Sequence, residues 1–308
     1  MIPEKFQYQA HGKLLLTGEY FVLDGALALA VPTKKGQIFN VNPFHAEPDI
    51  LFWESINEKG EIWFEGWFSL SNLQWIEGSN EQVGRQLESL LQAALAIKSL
   101  KFPEQSIIVQ TRVTFPLEWG LGSSSTMISF LGKWLGIDPY KLLQKGFGGS
   151  GYDVACAESE GAIIYQLTDE KPVSKRVDFY PDFHQNLYFV HLGKKQSSRE
   201  GIRRYRKMTV VSPEALRKVS GLTQQFLNAR NLPDFQEVMK KHETFIGQQL
   251  SLPVIQESFP NFPGQLKSLG AWGGDFMLAA SDRPFEEIAN YFQAHGLNVV
   301  VPYKEMIL

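Results

Sequence analysis

A loop of glycines and serines is the part of the sequence whose residue types point most directly to chemistry. It reads GLGSSS and lies within FPLEWGLGSSSTMISFLGKWLG, residues 115–136, between a predicted strand and a predicted helix. A helix start has unpaired N–H groups and a partial positive charge, and a glycine-rich entry lets a phosphate approach those groups closely. The loop therefore predicts a cradle for a phosphate.

The same loop also suits an ordinary turn. Gly120 and Gly122 would give the access that a phosphate needs, and three serine hydroxyls could reach a phosphate oxygen or a Mg²⁺ ion bound to it. Alternatively, Ser124 or Ser125 caps the first turn of the helix and nothing binds there. The sequence contains neither a Walker nor a Rossmann glycine pattern, so the loop alone leaves both interpretations open.

Charged residues in two further glycine-bearing segments have chemical potential. HGKLLLTGEYFVLDG, residues 11–25, places Lys13 near the start of a strand and Glu19 with Tyr20 at its end. GFGGSGYDVACAESEG, residues 146–161, places Asp153 in the first turn of a short helix, where an acid is also expected for capping.

A basic stretch and a second glycine run follow in the later half of the chain. Residues 190–207 read VHLGKKQSSREGIRRYRK, in which Ser197 and Glu200 match a capping box. The stretch suits either a solvated basic helix or a site for an anionic substrate near Lys194 and Lys195. KSLGAWGGDFMLAAS, residues 267–281, is a glycine run that leads into a strand.

The elements that must position these residues form an α+β pattern. Residues 13–70 have the pattern of several strands, with a hairpin turn at NEKG. Apolar residues in 81–99 line one face of a predicted helix. SIIVQTRVTF, directly before the loop, alternates apolar and polar residues as a half-buried strand does. Two strands, three helices near residues 197–207, 212–230 and 232–250, and a last strand, helix and strand then follow. We expect two domains, residues 1–170 and residues 171–308.

Composition excludes several classes of protein. The chain has 308 residues, 44% of them hydrophobic, and a net charge of −3, which gives no field for nucleic acid or an anionic membrane. The apolar stretches are too short to span a membrane, and the single cysteine, Cys156, excludes an internal disulfide. We expect a cytoplasmic protein that binds a small, anionic molecule, without nucleic-acid or membrane partners.

The four glycine-bearing segments, in this order, resemble the motifs of the GHMP kinases, small-molecule kinases named for galactose, homoserine, mevalonate and phosphomevalonate. HGKLLLTGEY resembles the first motif, and PLEWGLGSSST resembles the phosphate loop P-x-x-x-G-L-G-S-S-[AS]. GSGYDVACA and GAWGGDF are similar to G-S-G-[FY]-D-V-A-A-A and G-A-G-G-G-D-C of the phosphomevalonate kinase branch. The resemblance covers about a quarter of the chain.

The resemblance implies a fold and a set of roles. The fold would be an N-terminal β-α domain with a left-handed crossover and a C-terminal ferredoxin-like domain. Asp153 would be the catalytic aspartate and Lys13 the lysine beside it, with ATP and Mg²⁺ as cofactors and Ser124 at the metal. The ATP phosphates would lie on Gly120, Leu121, Gly122, Ser123, Ser124 and Ser125. Substrate contacts would come from Glu19, Tyr20, Ser150, Gly151, Lys194, Lys195, Ser197, Gly270, Gly273 and Gly274.

Three departures from the motifs keep an alternative open. His11 replaces a proline, Trp272 interrupts the last glycine run, and Asp138 is the only acid in KWLGIDPYKLLQKGFGG, where a Mg²⁺-binding glutamate is usual. Because the four motifs occur together and in order, we nevertheless expect an ATP-dependent kinase for phosphomevalonate or mevalonate. The alternatives are a kinase-derived protein that binds nucleotide or metabolite with little or no transfer, and a GHMP kinase for another small alcohol.

Overall fold

The structure is a computed structural model, and it describes residues 2–45, 47–169, 171–194, 198–208, 211–272 and 274–308. Its contacts divide the chain into two compact units. The first unit comprises Met1–Gly12, Lys35–Leu117 and Leu121–Glu158, and the second comprises Lys13–Lys34, Glu118–Gly120 and Ser159–Leu308. This division interleaves along the sequence because two long strands, β1 (Phe6–Thr17) and β2 (Ala28–Pro43), each contribute to both units. The single domain boundary near residue 170 stays a prediction.

The first unit is a sheet with helices. Its strands run in the order β5-β4-β3-β6-β2, and β3 pairs with β6 in parallel while the other pairs are antiparallel. Besides the parts of β1 and β2, the strands are β3 (Ile50–Ile56), β4 (Ile62–Ser69), β5 (Trp75–Gly78) and β6 (Ile107–Val113). The helices are α1 (Glu81–Leu95), α2 (Ser123–Leu135), α3 (Pro139–Gly146) and α4 (Tyr152–Ala157).

Stacked aromatic rings fill the core of the first unit. The ring of Phe130 on α2 stacks on Phe39 of β2 with centroids 4.3 Å apart, and it also stacks on Trp134 at 5.5 Å. Trp53 meets the same ring edge to face. Such large rings bury much apolar area, so this cluster holds α2 against the sheet.

The hairpin predicted at NEKG is confirmed between β3 and β4. The side chain of Asn57 accepts the N–H groups of Lys59 and Glu61, and Gly60 takes the left-handed conformation that the turn needs. Three aromatic residues of this hairpin, Trp53, Phe64 and Phe68, are buried and pack its inner face.

The second unit contains a four-stranded antiparallel sheet with the order β10-β11-β9-β12. That order and those directions are the ferredoxin-like arrangement, in which the second and third strands form a hairpin beside the first. The strands are β9 (Leu187–His191), β10 (Gln265–Ser268), β11 (Phe276–Ala280) and β12 (Val300–Pro302). The helices are α5 (Ser198–Met208), α6 (Pro213–Asn228), α7 (Leu232–Leu250), α8 (Phe285–Ala294) and α9 (Tyr303–Met306).

The first part of β2 lies in the second unit, where it pairs with β7 (Ile163–Thr168), and β7 pairs with β8 (Lys171–Arg176). The predicted α+β class with a ferredoxin-like second part is therefore confirmed. None of the described helices combines the length and apolar character that crossing a membrane requires.

Candidate active site

The loop before α2 enters the helix through a left-handed glycine. α2 begins at Ser123, and Gly122 before it has a φ of 95°, which a residue with a Cβ rarely adopts. The expectation that Ser124 or Ser125 caps this helix is wrong, because Gly122 holds the N-cap position and no described side chain caps the helix. The first N–H groups of α2 therefore have no side-chain acceptor in the described part of the chain.

The three serines of the first turn have different surroundings. Ser125 is 2% exposed, and its hydroxyl donates to the Gly122 carbonyl over 2.7 Å, so it bonds within the loop itself. Ser123 is half-buried, whereas Ser124 is exposed. The hydroxyl most open to a ligand is therefore that of Ser124, the residue that the sequence assigns to Mg²⁺.

Buried hydroxyl groups fix α2 to β1 and β2 within the first unit. The hydroxyl of Thr126 donates to Gln37 Oε1 over 2.6 Å. Ser129 lies 2.6 Å from the Tyr8 hydroxyl and donates to the Glu158 carboxylate over 3.0 Å. These bonds give the helix start a fixed direction, which a preorganised anion site requires.

Lys13 and Gly120 are in contact within the second unit. The Lys13 ammonium donates to the Gly120 carbonyl over 2.9 Å. Gly120 has a φ of 63°, and a Cβ at this position would overlap the carboxylate of Asp275. Glycine is favoured here, because a side chain would have to adopt an unfavourable backbone conformation and displace the neighbouring acid.

Asp275 is a site residue that the sequence reasoning missed. It belongs to the segment GAWGGDF, whose resemblance to the family motif implies roles for the glycines alone. Its own φ is 54°, which is unusual for a residue with a side chain, and its backbone is fixed by bonds to Leu192 and Lys194. The structure alone reveals its positive φ and the contact of its carboxylate with Gly120.

Asp153 lies in the first turn of α4, as predicted. The helix begins at Tyr152 after Gly151, whose φ is 88°. The half-buried carboxylate of Asp153 accepts the N–H of Val154 over 3.0 Å. Ser150, just before this turn, is buried. The catalytic role of Asp153 and the substrate contacts of Ser150 and Gly151 stay predictions.

Asp138, the only acid in KWLGIDPYKLLQKGFGG, has a structural role. Asp138 is the N-cap of α3, where its carboxylate accepts the N–H groups of Tyr140 over 2.9 Å and Lys141 over 3.3 Å. Its charge also favours the helix N-terminus. Asp138 is therefore engaged in capping α3.

The exposed serine hydroxyl at the start of α2 is compatible with a Mg²⁺ ion that is bound to nucleotide phosphates. No three His, Cys, Asp or Glu side chains among the described residues are grouped so as to hold a metal ion. Mg²⁺ in nucleotide sites needs few protein ligands, because phosphates and water supply the rest. The exposed Ser124 hydroxyl fits one such ligand.

A cluster of four buried ionisable side chains lies in the second unit; we call it the buried charge cluster. Its members are Glu19, Lys267, His242 and Glu243, each at most 1% exposed. The Lys267 ammonium pairs with Glu19 Oε1 and donates to the Ser268 carbonyl over 2.9 Å. Charged side chains are rarely buried without such partners. The motif resemblance implied a substrate contact for Glu19, which stays a prediction, and the sequence reasoning missed its three neighbours.

α7 supplies the other two members of the cluster. His242 Nε2 accepts the N–H of Gly18 over 3.2 Å and lies 3.5 Å from Glu19 Oε2. Glu243 accepts the Ser268 N–H over 3.0 Å and the Ser268 hydroxyl over 2.8 Å. His242 and Glu243 are adjacent in sequence, so neighbouring residues of one helix bind the end of β1 and the end of β10.

Burial is the largest cause of the pKa shifts of Glu19, His242 and Glu243 in this cluster. It raises the pKa of Glu19 to about 7, although the attraction of Lys267 opposes that rise. Burial also raises the pKa of Glu243, and it lowers the pKa of His242 well below its ordinary value, with Lys267 as the second cause. His242 is therefore neutral, in agreement with its role as an acceptor for Gly18.

Tyr20 follows Glu19 in a strained conformation. Its φ is 61° with a ψ of −46°, which is an outlier for an aromatic residue. Its ring stacks on Tyr205 of α5 with centroids 5.5 Å apart, and a Cβ on Gly201 would overlap its hydroxyl. Burial raises the pKa of Tyr20 to about 12, so the hydroxyl stays protonated and can only hydrogen-bond.

The basic stretch is only partly available to a ligand. Arg206 donates to the Asp24 carboxylate over 2.5 Å, and the Tyr205 hydroxyl donates to the same carboxylate over 2.6 Å. Lys194 is exposed, as are Arg203, Arg204 and Lys207. The predicted contacts Lys195 and Ser197 lie outside the described residues.

Trp272 in the second glycine run belongs to the core. It is 4% exposed and packs with Phe21, Tyr205 and Ile246. Gly270 before it has a φ of 60° with open space where a Cβ would lie, whereas Gly274 is buried. Gly273 lies outside the described residues. The predicted substrate contacts of Gly270 and Gly274 stay predictions.

Comparison with known proteins identifies the fold. No family model matches the sequence, and no curated protein sequence matches it significantly. Among solved structures, the Lin0012 protein from Listeria innocua is similar with a TM-score of 0.70 and 16% identity, and 97% of each chain is covered. Mevalonate kinase from Methanococcus jannaschii is similar with a TM-score of 0.70 and 16% identity over 96% of each chain.

A third similar structure is phosphomevalonate kinase from Streptococcus pneumoniae in complex with phosphomevalonate and AMPPNP. Its TM-score is 0.67 with 17% identity, and 95% of this chain and 97% of that one are covered. The kinases among these neighbours are GHMP kinases, so the resemblance found in the sequence motifs is confirmed for the fold. Identity this low shows the fold and leaves the activity to be argued from the site.

Proposed function

We propose that this protein is an ATP-dependent small-molecule kinase of the GHMP type that phosphorylates phosphomevalonate or mevalonate. The observation that carries the proposal is the start of α2, where Gly122 opens the backbone and Ser124 presents an exposed hydroxyl. Unpaired N–H groups at a rigid helix start favour the phosphates of a nucleotide. The four motifs and the fold of the kinase neighbours support the same conclusion.

In this proposal each residue has a separate task. The residues from Gly120 to Ser125 hold the ATP phosphates, and Ser124 is the protein ligand of Mg²⁺, which would neutralise charge on the phosphates. Lys13 stabilises the negative charge that develops during transfer. Phosphoryl transfer needs mainly positioning and charge stabilisation, so these groups supply much of the rate.

The task of Asp153 depends on the acceptor. An alcohol keeps its proton at neutral pH and therefore needs a base, whereas a phosphate, with a second pKa of about 6, is already largely ionised. For phosphomevalonate, Asp153 would mainly orient the acceptor, and the exposed cations Lys194, Arg203 and Arg204 would offset its charge. For mevalonate, Asp153 would accept the proton.

A coupled assay of ADP release tests the proposal. Purified protein with Mg²⁺ and ATP is offered mevalonate, phosphomevalonate, homoserine and sugars, and we expect turnover with one of the first two. Turnover of homoserine or a sugar alone would keep the kinase and reject the acceptor. An absence of turnover with all of them would reject the kinase.

Asp153→Asn then separates the two acceptors. We expect it to abolish turnover of mevalonate and to reduce that of phosphomevalonate much less. Asp138→Asn is the matched control, because asparagine also caps helices and activity should stay unchanged. Equal loss for both acceptors would contradict the assigned role.

A second candidate is a protein that binds nucleotide or metabolite with little or no transfer. The engagement of Asp138 in capping α3 favours it, since this stretch then contributes no acid to the metal. Calorimetric binding of ATP without detectable ADP release for any acceptor would support this candidate over the kinase.

A further inference from the structure

The buried charge cluster joins two segments that contain predicted substrate contacts. Glu19 follows β1, the strand that contains Lys13, and directly precedes the strained Tyr20. Lys267 belongs to β10, which leads into the glycine run that begins at Gly270. The Glu19–Lys267 ion pair therefore connects the residues after β1 with the residues before the glycine run.

α7 reinforces this connection from one side. His242 accepts the N–H of Gly18, and Glu243 accepts both the N–H and the hydroxyl of Ser268. Glu243 also accepts the N–H of Ile255 over 3.1 Å, so its two oxygens have three donors. Each of the two segments is thus bound to α7 and, through the ion pair, to the other segment.

Stability alone does not explain such an arrangement. A buried ion pair is often no more stabilising than a well-packed apolar pair of similar volume, because removing the charges from water is costly. An ion pair with directed hydrogen bonds does, however, define the orientation of the backbone groups that it binds. Here those groups adjoin Tyr20, whose backbone conformation persists only if its surroundings impose it.

We infer that Glu19 and Lys267 are positioning residues, which act through Tyr20 and the glycine run to shape the acceptor side of the site. This inference rests on the proposed function and replaces a direct substrate contact for Glu19. Its carboxylate is 0% exposed and already pairs with Lys267, so a substrate has no access to it.

The test removes both charges together. Glu19→Leu/Lys267→Met leaves no member of the pair uncompensated, so we expect its melting temperature to exceed that of either single variant. Hydrogen exchange of the ligand-free protein reports positioning without any assay of activity. We expect at least tenfold faster amide exchange in residues 18–21 and 268–272 of the double variant, with unchanged exchange in the strand hydrogen bonds of β9 and β11.

Kinetics give the second readout once an acceptor is identified. We expect the double variant to raise the KM of the acceptor at least tenfold while the dissociation constant of Mg·ATP changes less than threefold. Phe285→Ala is the matched control for a large substitution in the second unit, because this side chain is exposed on α8. It should change neither quantity.

Two results would overturn the inference. Native exchange in both segments together with a native acceptor KM would show that the pair is replaceable and positions nothing. A double variant no more stable than its single variants would show that the two charges do not compensate each other. If the protein proves to have no kinase activity, the exchange measurement still decides whether the cluster orders these segments.

Discussion

The loop before α2 and the buried charge cluster use polar groups in opposite ways. At the loop, no side chain among the described residues caps the first N–H groups of the helix and Ser124 is exposed, so bonding capacity is directed outward. In the cluster, four ionisable side chains have almost no exposed surface, and they bond to one another, to the backbone and to the Ser268 hydroxyl. The first arrangement is suited to binding a ligand and the second to holding the chain in place.

The largest effect that would test this contrast is on stability. Lys267→Met removes the cation from beside Glu19 and Glu243, and we expect it to lower the free energy of unfolding by about 3–5 kcal/mol. Lys34→Met is the control, since Lys34 is an exposed strand lysine that also donates to a backbone carbonyl, and its effect should stay within about 0.5 kcal/mol. Urea unfolding measures both, and equal effects would contradict a structural role for the cluster.

The second effect is a pH dependence. Burial raises the pKa of Glu19 to about 7, so the folded state holds a proton there that the unfolded state releases nearer pH 4.5. This contribution to stability is present below pH 4.5 and is lost as the pH rises through 7. Between pH 5 and 8, the wild type should lose about 2.5 kcal/mol that Glu19→Gln does not lose.

The other charged groups around Glu19 remain in both proteins of that comparison. Lys267 of β10 and His242 and Glu243 of α7 face the carboxylate, and all three are present in both proteins. Urea unfolding at both pH values gives the two slopes. Parallel curves for wild type and Glu19→Gln would show that this carboxyl has no raised pKa.

Sequence patterns predicted the loop better than the cluster, for a physical reason. A glycine before a helix and a hairpin turn at Asn57–Gly60 are local, because the residues that determine them are neighbours in the chain. The ion pair joins residues 248 positions apart, and β10 has only four residues, so no local period reveals it. Asp275 and the core packing of Trp272 depend in the same way on distant contacts.

Local reasoning also failed in one detail of the loop. Serine is a favoured N-cap, so the pattern indicated Ser124 or Ser125, but the left-handed conformation of Gly122 moves the helix start forward. Capping propensity does not include backbone conformations that only glycine adopts easily. The contact of Lys13 with Gly120 joins residues 107 positions apart, so no local pattern predicts it.

The third effect concerns the entry to the loop. Gly120→Ala would have to adopt a positive φ and displace the Asp275 carboxylate, so we expect ATP to bind at least tenfold more weakly, about 1.4 kcal/mol. Gly296→Ala is the control, because Gly296 also has a positive φ but open space around it. Calorimetric titration measures both, and native affinity in Gly120→Ala would mean that the position of Gly120 does not affect the nucleotide.

The smallest effect distinguishes the two serine hydroxyls. Ser124→Ala should weaken the binding of Mg·ATP by about 1 kcal/mol and leave the binding of metal-free ATP unchanged, since its hydroxyl is proposed to bind the metal. Ser125→Ala removes the internal bond to Gly122 and should weaken both forms alike. A metal-dependent effect in Ser125→Ala, or its absence in Ser124→Ala, would reverse the assignment.

Amide hydrogen exchange across residues 118–130, with and without Mg·ATP, tests the central claim most directly. If the start of α2 binds the nucleotide phosphates, the amides of residues 122–125 gain protection on addition of Mg·ATP, and inorganic sulfate at the same ionic strength protects them less. Tight nucleotide binding that leaves these four amides unprotected would contradict the account.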